Sequence, residues 1–137
     1  MIMLSEHVTI LRPEAWQPVC RLSDLAIERG AAALVSGVQI ALFRLRHDVV
    51  RAVQQLDPYS GANVISRGIV GTRGGADTVA SPMYKQVFDL ATGDCLDAVG
   101  YRPRPGLAPS LTTWPVEVVD GVVRVLLVPA ASEAAVA

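Results

Sequence analysis

The sequence predicts an all-β domain, a small antiparallel sandwich or barrel of short strands. Short apolar stretches recur along the chain with turn-forming residues between them, among them Ser36-Gly37, Gly74-Gly75 and Asp120-Gly121. Tight hairpins need such residues where the backbone enters the left-handed region. Size and composition agree. A chain of 137 residues that is 51 % apolar but only 5 % aromatic builds one core rather than two, and builds it mainly from Val, Leu, Ile and Ala.

The elements follow in order. Residues 1–14 carry little pattern and are expected to form a mobile segment, with the β domain over 15–129 and a second mobile tail over 130–137. Trp16 to Cys20 opens the domain as a strand, and Leu22-Ser23-Asp24-Leu25 reads as a turn or brief helical cap. Ala33 to Val35 and Val38 to Arg44 pair across Ser36-Gly37, and Val49 to Gln54 follows as a strand. Ile69 to Ala80 reads as strand, glycine turn, strand. No Gly-Lys-Ser/Thr follows those glycines and no helix pattern opens after them, so they do not form a phosphate loop. Gln86 to Leu90 and Asp94 to Leu96 flank Ala91-Thr92-Gly93, another hairpin signal. Tyr101 to Pro109 is an irregular crossing, because Pro103, Pro105 and Pro109 have no amide hydrogen for a ladder. Trp114 to Val119 and Val122 to Val128 close the domain as a hairpin across Asp120-Gly121.

Several function classes are disfavoured by composition. A net charge of −1 provides no basic field for nucleic acid or anionic membrane. The apolar stretches Ala31 to Phe43 and Val116 to Pro129 are interrupted by polar residues and glycine and read as hairpins, not as bilayer spans. The start of the chain lacks a basic region followed by a long apolar run, so a cytoplasmic protein is the expectation. Cys20 and Cys95 read as buried free thiols acting as small hydrophobes. His7 and His47 are isolated surface histidines without zinc-site spacing.

Two loops carry the functional information. The first is Asp57-Pro58-Tyr59-Ser60-Gly61-Ala62, continuing through Asn63-Val64-Ile65-Ser66-Arg67-Gly68-Ile69-Val70-Gly71. The second is Ser81-Pro82-Met83-Tyr84, continuing from Lys85-Gln86-Val87-Phe88-Asp89-Leu90 to Cys95-Leu96. Laid over them, the Cys-x-His and Cys-x-x-His boxes of a Rieske domain, whose thiolates hold one iron of a [2Fe–2S] cluster and whose imidazoles hold the other, fall on Asp57 with Tyr59 and on Ser81 with Tyr84. Every ligand is replaced. Carboxylate, hydroxyl and phenol are hard oxygen donors that do not assemble such a cluster, so no cofactor and no metal is expected in this chain. A hard cation among these oxygens is the minor reading.

With these flanks the chain resembles the small subunit of the assimilatory NAD(P)H-dependent nitrite reductase, a family of Rieske-like domains without cluster ligands. The likeness runs from about Trp16 to Leu127. It implies a Rieske-like sandwich or barrel with the two degenerate loops at one tip. It also implies a noncatalytic accessory subunit, inactive alone, in a cytoplasmic heteromeric complex. Its partner would be a large subunit carrying FAD, [4Fe–4S] and sirohaem, which reduces nitrite to ammonium in nitrate assimilation. In cluster-bearing Rieske proteins the tip docks the electron partner, which makes Pro58, Tyr59, Met83, Tyr84 and Lys85 the interface candidates. No residue is expected to be catalytic: the two rings fill the volume left by the cluster, while Asp57 and Ser81 cap loop amides. Two alternatives stand beside this reading, a Rieske-type ferredoxin serving an oxygenase and a stand-alone enzyme that uses Asp57 and the tyrosines for proton transfer.

Overall fold

The computed structural model describes residues 16–127. The segments 1–14 and 130–137, expected to be mobile, lie outside the described residues, as do Ala15, Val128 and Pro129 at the ends of the expected domain. The described chain is all-β, with eleven strands in three antiparallel sheets and only single 3-10 turns besides. Strand β1 (Trp16–Arg21) joins β11 (Val122–Leu126) and β10 (Val116–Val119) in the order β1-β11-β10. The second sheet, β2-β3-β4-β9, contains β2 (Arg29–Val35), β3 (Val38–Arg44), β4 (Val50–Gln54) and β9 (Thr113–Trp114). The third is β5-β6-β7-β8, with β5 (Ile69–Arg73), β6 (Ala76–Ala80), β7 (Val87–Asp89) and β8 (Cys95–Asp97). Among the described residues no helix is long and apolar enough to cross a membrane.

The three hairpin turns read from sequence form as expected. Both central residues have positive φ in each: Ser36 and Gly37 at 49° and 82°, Gly74 and Gly75 at 57° and 85°, Asp120 and Gly121 at 52° and 78°. That is the backbone signature of the turn whose twist matches the flanking strands.

Several strand ends shift by a residue from the sequence reading, and two elements differ more substantially. Strand β2 begins at Arg29 rather than Ala33, its register running from Arg29 opposite Arg44 to Val35 opposite Val38. Gly30, Ala31 and Ala32 have weak strand propensity, but Gly30 is needed there: a Cβ would run into the Ser66 carbonyl and the Phe43 ring. The expected strand Trp114 to Val119 is two strands. Pro115 cannot donate to a ladder, and at that residue the chain leaves the second sheet, where Trp114 pairs with Ala52, and enters the first, where Val116 pairs with Val125.

Strand β3 supplies both cores. Ile40 and Leu42 pack with Leu25, Val50, Ala52, Val123 and Val125. Ala41 and Phe43, on the opposite face, pack with Val53, Ile65, Val79, Phe88, Leu90 and Leu111. The second core supports the loops that follow β4 and β6. The buried Gln55 side chain fixes the exit from the first loop, donating to Ser66 Oγ at 2.8 Å and accepting the Ser66 amide at 2.7 Å.

Candidate functional site

The loops after β4 and β6 close in the same way. In the first, the Asp57 amide donates to the Ala62 carbonyl and the Gly61 amide to the Asp57 carbonyl, each at 2.8 Å. In the second, the Ser81 amide donates to the Gln86 carbonyl at 2.9 Å and the Lys85 amide to the Ser81 carbonyl at 3.1 Å. Each loop has a positive φ at its fifth residue, Gly61 at 80° and Lys85 at 70°. In each the leading side chain caps the amide two residues on: Asp57 Oδ1 accepts from Tyr59 N at 2.8 Å, and Ser81 Oγ from Met83 N at 3.1 Å. These are the local side-chain turns that Asp and Ser favour.

The loops are joined by one hydrogen bond. The Ser81 hydroxyl donates to Asp57 Oδ2 at 2.6 Å, and the Ser60 hydroxyl donates to the same oxygen at 2.9 Å. Asp57 and Ser81 are both fully buried. With the Tyr59 amide the carboxylate collects three donors, which replace the hydration lost on burial.

The other two ligand-equivalent positions diverge. Tyr59 is only 6 % exposed; its ring lies 6.1 Å from that of Phe88 and its hydroxyl donates to Cys95 Sγ at 3.4 Å. Burial pushes the Tyr59 phenol up to about 12, with the Cys95 hydrogen bond and the Cys95 and Asp57 charges adding to the rise. Tyr84 points outward at 39 % exposure and stacks on Tyr101, centroids 4.8 Å apart and planes 8° from parallel.

The five interface candidates therefore divide. Met83, Tyr84 and Lys85 are exposed, whereas Pro58 and Tyr59 are buried. A Tyr ring next to the vacated ligand position fills core volume more favourably than it stands in water. The cysteines are free thiols, half-buried rather than buried.

Sequence reasoning missed the third part of the tip, the proline-rich crossing. Arg104 N donates to the Pro58 carbonyl at 2.8 Å and Arg104 Nη1 to the Ser60 carbonyl at 3.0 Å, while Tyr101 covers the second loop. The irregular crossing is a clamp on both loops. Its signal was the Arg and Tyr set among prolines, a rigid segment carrying long hydrogen-bonding side chains. Gln86 was missed as well. It is fully buried, its Nε2 donates to the Ala98 carbonyl at 3.3 Å, and its Oε1 has no partner among the described residues.

The donor set does not fit a [2Fe–2S] cluster. No thiolate or imidazole stands at any of the four positions, two of them are committed to each other, and Tyr59 and Tyr84 face opposite ways. No group of three or more His, Cys, Asp or Glu side chains is placed for a metal among the described residues. A cavity of about 510 Å³, lined by Gln39, Gln54, Asn63, Leu107 and Trp114 among others, has none of the four positions in its wall.

The network sets two measurable expectations. In urea denaturation, Ser81→Ala should cost about 1.5–3 kcal/mol, the worth of a hydrogen bond to a charged group. Asp57→Ala, which strands three donors, should cost about 3 kcal/mol or more, and the double variant should fall clearly short of the sum. Full additivity would mean the two side chains act independently. The second expectation concerns alkaline pH. Because the Tyr59 pKa is raised from 10 to about 12 in the fold, its contribution to stability is complete below pH 10 and is lost as pH rises through about 12. Ultraviolet titration should show a late-ionising tyrosine that disappears in Tyr59→Phe.

Comparison with known proteins agrees with this fold. The family model for the Rieske-like [2Fe–2S] domain matches residues 15–126. Over 110 residues the chain is 36 % identical to the nitrite reductase (NADH) small subunit of Salmonella typhimurium, spanning 80 % of this chain and 94 % of that one. The solution structure of the NAD(P)H nitrite reductase small subunit from Erwinia carotovora is 38 % identical with a TM-score of 0.66, covering 82 % of each chain. The chain is also 40 % identical over 110 residues to the NAD(P)H nitrite reductase large subunit of Klebsiella oxytoca, a match that takes up 80 % of this chain and 11 % of that protein. A Rieske-like fold whose two boxes are closed by a carboxylate and a hydroxyl, matched along nearly the full length of such relatives, places this chain in the Rieske-like [2Fe–2S] domain family and, within it, among the small subunits of NADH-dependent nitrite reductase.

Proposed function

We propose that this chain is the noncatalytic small subunit of a cytoplasmic NAD(P)H-dependent nitrite reductase, binding the large subunit and supporting its folded or active arrangement. The large subunit, in this reading, holds FAD, [4Fe–4S] and sirohaem and carries electrons from NAD(P)H to nitrite, yielding ammonium for nitrate assimilation. The small subunit binds no cluster and transfers no electrons.

The observation that carries this reading is the closed tip. Where a redox Rieske domain needs two thiolates and two imidazoles, Asp57 and Ser81 bind each other at 2.6 Å. A ferredoxin role lacks its ligands, and an enzyme role for Asp57 lacks an approach, since the carboxylate is fully buried and its three donors are internal. The Klebsiella protein adds support. A related domain forms part of one polypeptide called a large subunit, and a tether of that kind holds two partners at high effective concentration. Binding only the assembled large subunit, this chain stabilises that state by RT ln(1 + [L]/Kd), about 2.7 kcal/mol at a hundred-fold excess over Kd.

The test is nitrite-dependent NAD(P)H oxidation by purified large subunit with and without this chain, with co-elution followed in parallel. Co-elution together with a gain in activity or in its lifetime is the expected result, and the chain alone should turn over nothing. No association and no gain would overturn the proposal. Turnover by the isolated chain that is lost in Asp57→Asn would replace it with the stand-alone enzyme.

A further inference from the structure

We propose that Met83, Tyr84, Val99 and Tyr101 form the face on which the nitrite reductase large subunit docks, through a complementary surface with an apolar centre and an acidic rim. This rests on the accessory-subunit reading above.

The four side chains are exposed at 47 %, 39 %, 46 % and 49 %. They lie on two segments held together by the Tyr84–Tyr101 stack and by Ala98, whose carbonyl accepts from both Gln86 Nε2 and the Tyr101 amide. The rings are already ordered against each other, so a partner that covers them freezes little further motion. Exposed Tyr and Met in a pre-ordered cluster have the composition of an interface centre.

Val99 supplies an independent reason. Its φ is +54°, a region that a β-branched residue enters only under strain and that Gly or Asn would occupy more easily. The turn itself is secured without the Val side chain, by the Val99 amide donating to Asp97 Oδ1 at 2.9 Å and the Tyr101 amide to the Ala98 carbonyl at 2.9 Å. Nearly half of the side chain faces water. Those two hydrogen bonds hold a strained conformation whose result is an apolar side chain facing water.

The rim specifies the partner's charge. Lys85, Arg102 and Arg104 flank the two tyrosines in sequence and are exposed, and none has a carboxylate partner among the described residues. Asp97, the nearest acid before Val99, is 3.6 Å from Arg73, and Asp57 is fully buried. The rim is thus net positive and is complemented by carboxylates, which steer association and fix register. The body of a large subunit is the matching occupant, because the Klebsiella relative carries this kind of domain within the same polypeptide.

The experiment measures the affinity of full-length variants for purified large subunit by titration calorimetry at two salt concentrations, with the thermal midpoint of each variant measured alongside. Tyr84→Ser with Tyr101→Ser should raise Kd about ten-fold or more. Val99→Gly should weaken binding while its thermal midpoint holds or rises, a combination that separates docking from folding. Lys85→Glu with Arg102→Glu should weaken binding and flatten its salt dependence. Leu34→Ser, at a residue 72 % exposed on β2, should bind like wild type. Wild-type binding with unchanged affinity in the three tip variants would overturn this face while leaving the accessory reading intact; failure of the wild-type chain to bind would overturn both.

Discussion

The tip of this domain depends on a buried carboxylate held by hydrogen bonds. Among the described residues Asp57 makes no salt bridge; its partners are the Tyr59 amide, the Ser60 hydroxyl and the Ser81 hydroxyl, at 2.8, 2.9 and 2.6 Å. An isolated buried carboxylate is costly, and it persists only where hydrogen bonds replace the lost hydration. Here they do so in a particular place. In a redox Rieske domain the corresponding positions are linked through the cluster, whereas in this chain a single short hydrogen bond spans the same two loops. Where metal ligation links the loops elsewhere, here the Ser81 hydroxyl donates to Asp57, and the loops keep matching closures.

Other features follow from that substitution. Once no imidazole is needed beside Asp57, the adjacent position can turn inward, and Tyr59 does so, adding its ring to the core formed by Phe43, Ile65, Val79 and Phe88. Once no imidazole is needed in the second loop, Tyr84 is free to turn outward and find Tyr101. The proline-rich crossing then locks both loops, through Arg104 on one and Tyr101 on the other. The tip thus bonds Asp57, Ser60 and Ser81 to one another inside and presents Met83, Tyr84 and Tyr101 outside, an arrangement in keeping with the proposed contact role.

The sequence made the fold legible where turn chemistry was local. Ser36-Gly37, Gly74-Gly75 and Asp120-Gly121 each declared a hairpin because few other residue pairs accept positive φ twice in succession. It hid what depended on distant partners. The early start of β2 was obscured by Gly30, whose role is visible only once Ser66 and Phe43 lie against it. The split at Pro115 was obscured because a strand that changes sheets looks like one strand until its partners are known. At the site, the degenerate boxes and the capping roles of Asp57 and Ser81 were readable from residue type and spacing. The burial of Pro58 and Tyr59, the stack on Tyr101 and the clamp by Arg104 were not, since they join residues distant in sequence, up to 44 positions apart for Arg104 and Ser60, that meet only after folding.

We propose that the hydrogen bond between Asp57 and Ser81 takes the place of a cluster between the two loops. The most direct measurement is iron and acid-labile sulfide per chain after anaerobic reconstitution of the full-length protein with ferrous iron and sulfide, read together with the visible spectrum. Background iron, background sulfide and a colourless protein are expected. Recovery of about two irons and two sulfides per chain with the absorption of a [2Fe–2S] centre would contradict the proposal.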